Sequence, residues 1–285
     1  MTNALVIARF TIQEAISRRL ILAGALVSLA FVALFGLGFA FLYGFVVQDS
    51  AHDPTASVTL VMAGTLLTVL GLYAVHFLSS FLALFLSVGA ISGEIDAGTL
   101  HAVLARPLRR AEFVLGRWLA YVGLIATYVG IMAAFLLLLA RLIAGYAAPD
   151  APRAVALMML GSVLLLTVSL FGSTLLSTLA NGVVVFSLFG LAWLAGMIEL
   201  VGTALRNEGA MNLGIAISLL VPNDAIWRGA SYYLQAPAFL AATASRVGIP
   251  FAATTPPTTA LVVWALAYPL VFLAAAVLAF SHRDL

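Results

Sequence analysis

Twenty-three of the 24 charged residues in this 285-residue chain lie outside six long apolar stretches, and inside them the only charge is Glu199. The stretches run Leu20–Val47, Val58–Ile91, Trp118–Ala140, Ala154–Ala180, Val183–Thr203 and Thr258–Phe280. About 20 apolar residues suffice for a helix to cross a hydrocarbon layer about 30 Å thick. A spanning β-barrel would instead show alternating segments of about 10 residues. The expected fold is therefore all-α, a polytopic membrane bundle of six transmembrane helices. Composition agrees, with 64% hydrophobic and 8% charged residues, against about 25% charged in soluble domains. That excludes a water-soluble globule and a disordered chain.

All 13 basic residues are Arg, and there is no Cys. Without Lys there is no phosphate-binding Gly-Lys-Ser/Thr loop for ATP and no Schiff base with pyridoxal phosphate. Without Cys there are no disulfides, thiolate nucleophiles or Cys-based metal sites. A net charge of +2 gives no argument for nucleic acid as a partner.

Arg placement sets the expected orientation. With the N-terminus inside, segments 1–19, 92–117, 181–182 and 281–285 carry eight Arg in 52 residues, whereas 48–57, 141–153 and 204–257 carry five in 77. Positive charge collects on the cytoplasmic side, so both termini are expected there, in a multi-pass protein of the cell membrane. The second stretch, 34 residues, would reach about 51 Å as one helix. Its Ser87–Ile91 end is expected to project into the cytoplasm. Asn181-Gly182 reads as a tight turn between the fourth and fifth spans, and Pro269 is expected to kink the sixth.

The chain reads as one transmembrane domain, 1–285, with three pieces that do not span. Residues 1–19 form an amphipathic helix lying in the interface, with Leu5, Ala8, Ile12 and Ala15 at helical spacing; the alternative is a plain anchor before the first span. Five spans occupy 20–203 and include a coupling loop at 92–117. An external segment, 204–257, precedes the sixth span and the tail at 258–285. Within it Met211–Val221 is too short to cross and is expected to be interfacial or re-entrant. Trp227, Tyr232 and Tyr233 fit an aromatic belt at the membrane surface.

The loop at 92–117 is the most informative. Thr99–Ala105 suits two turns of helix, which Pro107 should end. Leu100, Val103 and Leu104 put an apolar stripe on that short helix. Held outside the bilayer, such a stripe needs lipid, the bundle or a partner protein to bury against. The order Glu94-x-x-x-Gly98-Thr99-Leu100, Pro107-Leu108-x-Arg110, Val114-Leu115-Gly116-Arg117 resembles the first intracellular loop of type-2 ATP-binding-cassette (ABC) exporter permeases. Those subunits have six spans, an N-terminal amphipathic helix, a cytoplasmic coupling helix after the second span and an external re-entrant region before the sixth. This chain departs at Arg117, where the family often has Lys.

The resemblance implies a permease subunit that is not itself an enzyme. A separate ABC ATPase subunit, holding ATP and Mg, would contact the loop, and this chain would carry no cofactor. A second permease copy, as a homodimer or a related subunit, would complete the path. Glu94, Gly98, Thr99, Leu100, Val103, Pro107, Arg109, Arg110, Gly116 and Arg117 would form the coupling element. From the residues alone, Glu94 and Asp96 could brace the loop by pairing with Arg109 or Arg110, or stand as solvated charge. The two Arg could also hold anionic headgroups.

Two intramembrane groups support a competing reading, a proton- or ion-coupled secondary transporter using Glu199 and His76. Ionisable residues inside a span are functional candidates. The plainer readings are an interfacial Glu199 near the end of its span and a His76 that bonds a neighbouring helix. Convergent catalytic side chains for an intramembrane enzyme are missing, and so is any metal-ligand pattern. The apolar spans suit lipids, drugs, peptides or polysaccharide precursors alike, and an assembly role for another complex stays open.

Overall fold

The structure is a computed structural model that describes residues 2–17, 19–50, 54–96, 98, 109–243 and 251–282. Among these the chain is predominantly helical and forms no strand. The helices are α1 (Thr2–Ser17), α2 (Arg19–Asp49), α3 (Ala56–Ser87), the short α4 (Ser92–Asp96), α5 (Arg110–Ala144), α6 (Ala151–Leu175), α7 (Thr178–Ala204), α8 (Glu208–Leu220), α9 (Asn223–Leu234), α10 (Pro237–Thr243) and α11 (Thr259–Ser281). Six are long and apolar enough to cross a membrane: α2, α3 with α4, α5, α6, α7 and α11.

The bundle is built around α6. In its most apolar window 61% of residues are buried, against 11% in α2, and it packs on α3, α5, α7, α9 and α11. Lipid is as apolar as leucine, so helices in a bilayer gain by packing closely and by hydrogen-bonding across the seam. The buried polar positions of α6 show this. Ser162 Oγ lies 2.9 Å from Ser79 Oγ of α3, and Thr167 accepts the Trp118 indole N–H of α5 at 2.8 Å.

The same rule explains α1. The apolar stripe read from the sequence includes Leu5 and Ile12, yet the buried side chains are Ala4, Ala8, Thr11 and Ala15, while Leu5, Val6 and Phe10 are exposed. The small face lies on α5 at Gly116, where an added Cβ would sit 2.7 Å from the Ala4 carbonyl. Large side chains facing outward lose nothing in a lipid setting.

The turn between the fourth and fifth spans falls at Leu176-Ser177, not at Asn181-Gly182. Ser177 caps α7 by accepting the Ala180 N–H, which frees Asn181 to sit inside the helix. Its fully buried side chain donates to the Val88 carbonyl at 2.8 Å and the Ser169 carbonyl at 2.9 Å. A polar pair that reads as a turn thus acts as an interhelical clamp. Pro269 lies buried inside α11, which is one helix across it.

After α7 the chain folds back as α8, antiparallel and tight. A Cβ at Gly202 would lie 2.7 Å from the Met211 nitrogen, and one at Gly214 2.8 Å from the Glu199 nitrogen. α9 then turns by 101° from α8 and inserts against α6. Ile226, Trp227, Ala230 and Leu234 are fully buried. Trp227 is therefore core, not part of a surface belt: its ring stacks on His76 at 5.3 Å and its N–H donates to the Phe251 carbonyl at 2.8 Å. Tyr232 and Tyr233 are half-buried. Between α5 and α6, Gly145 takes a left-handed conformation at φ 64°. That turn aims Tyr146 at the Leu234 carbonyl, to which it donates, and burial pushes its phenol pKa up.

Candidate functional site

The connection between α3 and α5 is anchored by a buried cation. Arg117 sits two turns into α5 and is 6% exposed, a placement that needs an ion partner and hydrogen bonds to be stable. Its Nη1 donates to the Ala90 carbonyl at 2.7 Å and the Tyr121 hydroxyl at 3.3 Å. Its Nη2 forms an ion pair with Glu94 of α4 and approaches Glu14 of α1 at 4.0 Å. The guanidinium also stands 5.1 Å from the Phe113 ring. One side chain thereby ties α1, α4 and α5 together.

Glu94 thus pairs with Arg117, not with Arg109 or Arg110. The Arg110 side chain is engaged elsewhere, and that of Arg109 is exposed. Arg109 caps α5, where its backbone N–H donates to the Glu112 carboxylate at 3.4 Å. Arg110 donates to the Phe280 and Ser281 carbonyls, each at 3.2 Å, at the C-terminal end of α11. Unpaired carbonyls at a helix C-terminus attract a cation. From the other side, Ser92 Oγ lies 2.8 Å from Thr178 Oγ1 of α7, next to the Asn181–Val88 bond. Segment 88–94 is held by α5, α6 and α7.

Gly98 has φ +68°, a left-handed conformation that costs glycine little. Thr99, Leu100, Val103 and Pro107 lie outside the described residues, as do His101, Leu104 and Arg106; nothing is described of the Asp96 side chain. Gly116 serves the α1–α5 crossing. The structure thus brings Glu94, Gly116 and Arg117 together at the base of the loop, with Arg109 and Arg110 at its return.

A second polar cluster lies toward the other end of α7. Glu199 accepts from Arg228 Nη2 of α9 at 2.6 Å, and Arg228 Nε lies 3.1 Å from Asp224 Oδ2. The Asp224 carboxylate fills the space left by Gly196, where a Cβ would collide with it. Asp224 and Arg228 were legible as an acid–base pair at i, i+4, though the sequence reading singled out only Glu199. His76 is buried, and neither ring nitrogen has a hydrogen-bond partner among the described residues, so the expected interhelical bond from it is not made. It borders a small cavity with Asn223 and Asp224, while Glu199 lines a different one. Among the described residues no three His, Cys, Asp or Glu side chains gather as a metal site.

The sequence profile of the family described as ABC-2 family transporter protein matches residues 74–285. The chain belongs to the ABC-2 transporter family. Membership makes it a permease subunit of an ABC transporter, a multi-pass membrane component whose ATPase is a partner. The matched region holds the Glu94–Arg117 anchor and the Glu199–Arg228–Asp224 cluster, and leaves out α1 and α2. No curated protein matches the chain at a significant level.

Proposed function

We propose that this ABC-2 permease couples ATP hydrolysis on a separate ATPase subunit to substrate export, through the loop between Glu94 and Arg109. ATP and Mg belong to the partner, and the chain itself carries no cofactor. Both termini and the loop face the cytoplasm of the cell membrane. A second copy of this chain or a related subunit completes the path. The carrying observation is the Arg117 anchor. A loop can transmit a push only if its base moves with the bundle, and Arg117 joins that base to α1, α4 and α5. Ser92–Thr178 and Asn181–Val88 extend the connection to α7. An ion-coupled mechanism needs a carboxylate free to exchange its counterion, and Glu199 is held by Arg228 at 2.6 Å.

The test uses the chain purified from its own membranes in mild detergent. Vanadate-sensitive ATP hydrolysis should accompany it. Since the chain has no Cys, a single Cys in place of Pro107 should cross-link to that ATPase. In proteoliposomes holding the complex, ATP on the loop side should drive transport. Substrate movement by the isolated chain under an ion gradient alone would overturn the proposal.

A further inference from the structure

Asn223 and Asp224 open α9, and each fits a notch where a neighbouring helix carries glycine. A Cβ at Gly196 of α7 would collide with the Asp224 carboxylate, and one at Gly161 of α6 would stand 3.0 Å from Asn223 Oδ1. The same point over Gly161 lies 3.0 Å from His76 Cε1 of α3. His76 and Asn223 therefore converge, with no more than twice that distance between these two atoms.

Both side chains are almost wholly buried, His76 at 3% and Asn223 at 2% exposed. Asn223 Oδ1 and both ring nitrogens of His76 have no hydrogen-bond partner among the described residues. Leaving such atoms unmet costs free energy, and here they gather in one place. His76, Asn223 and Asp224 line a single cavity of about 10 Å³, walled otherwise by aromatic rings that include Phe77, Phe189 and Trp193. The imidazole is held in position by stacking on Trp227, with ring centroids 5.3 Å apart.

Size and chemistry point to one occupant. A water fills about 10–15 Å³ and, when buried, needs two to four polar partners. Neutral imidazole carries one N–H donor and one acceptor nitrogen, and Asn223 Oδ1 accepts. Water both donates and accepts, so it can serve the two groups at once. Polar groups that face each other beyond direct bonding distance are where a bridging water belongs. Calcium and magnesium ions take six or more oxygens. The side-chain oxygens lining this cavity come from Asn223, Asp224 and Tyr73, and Asp224 is already paired with Arg228.

We propose that this cavity holds one ordered water that hydrogen-bonds His76 and Asn223 and so ties α3 to the inserted end of α9. The interhelical link expected of His76 is then made through that water.

Radiolytic hydroxyl-radical footprinting of the full chain in phosphatidylcholine nanodiscs tests it. Radiolysis makes radicals from bound water as well as from bulk water, so a side chain touching a buried water is oxidised where bulk solvent does not reach. Relative to intrinsic reactivity, His76 should be oxidised tenfold or more faster than Phe39, which is 1% exposed. Oxidation no faster than at Phe39 overturns the proposal. Unfolding temperature gives a second reading. His76→Phe keeps a ring against Trp227 and deletes both nitrogens. With the water bound, this removes a hydrogen bond and should lower the unfolding temperature by roughly 2–4 °C. Without it, the change removes unmet atoms, so an unchanged or raised temperature overturns the proposal. Asn223→Leu should also lower it, and the double variant should lose less than the two single changes together; additive losses overturn the bridge. If these variants do not fold, the footprint of the native chain decides.

Discussion

Replacing Arg117 by Met keeps the volume and deletes the cation. Removing one partner of a buried ion pair costs about 3–5 kcal/mol. The Glu94 side chain is 21% exposed and Arg117's 8%, so water screens part of the loss and the lower end, about 3 kcal/mol, is expected. The bond to the Ala90 carbonyl disappears as well. At about 1.4 kcal/mol per decade, local opening of segment 88–96 should become roughly a hundredfold more populated. Hydrogen–deuterium exchange reads this at the Gly93 and Ile95 amides, which bond to the Gly89 and Ile91 carbonyls. Adding Glu94→Gln should recover most of the loss, because the neutral pair leaves no uncompensated carboxylate; a double-mutant cycle should return a coupling above about 1 kcal/mol. Exchange within threefold of the native protein in Arg117→Met, or additive effects of the two changes, would refute the anchor and remove the support for the lever.

Gly116→Ala should loosen α1 from α5 and speed proteolysis near the N-terminus, since its Cβ meets the Ala4 carbonyl at 2.7 Å; Gly123→Ala, with nothing within 4 Å, should leave the digestion pattern unchanged. Trp227→Phe should lower stability by about 1 kcal/mol through loss of the bond to Phe251, and Trp227→Ala by about 3–5 kcal/mol, both read as unfolding temperature in detergent. Single cysteines at Arg109 and Glu208, both exposed, should react with an impermeant maleimide from the cytoplasmic and the external side respectively; the reverse labelling would overturn the orientation drawn from Arg placement.

The six spans and the family resemblance carried by the Glu94–Arg117 motif were legible because exclusion of charge from hydrocarbon and a short motif are local properties of the chain. No fold is needed to see that Val58–Ile91 holds no charge. Contacts between distant residues carry no such mark. Glu94 meets Arg117 and not Arg110 because helix α5 turns position 117 toward α4 while α11 draws Arg110 away. The small face of α1 is inward because its neighbour is the bare backbone at Gly116. Trp227 is core because α9 bends by 101° into the bundle. Asn181 clamps rather than turns because Ser177 had already capped the helix. Hydropathy says which residues avoid water. In a bilayer both the protein interior and the lipid satisfy that demand, so which side chains face each other is left to packing and hydrogen bonding between helices far apart in the chain.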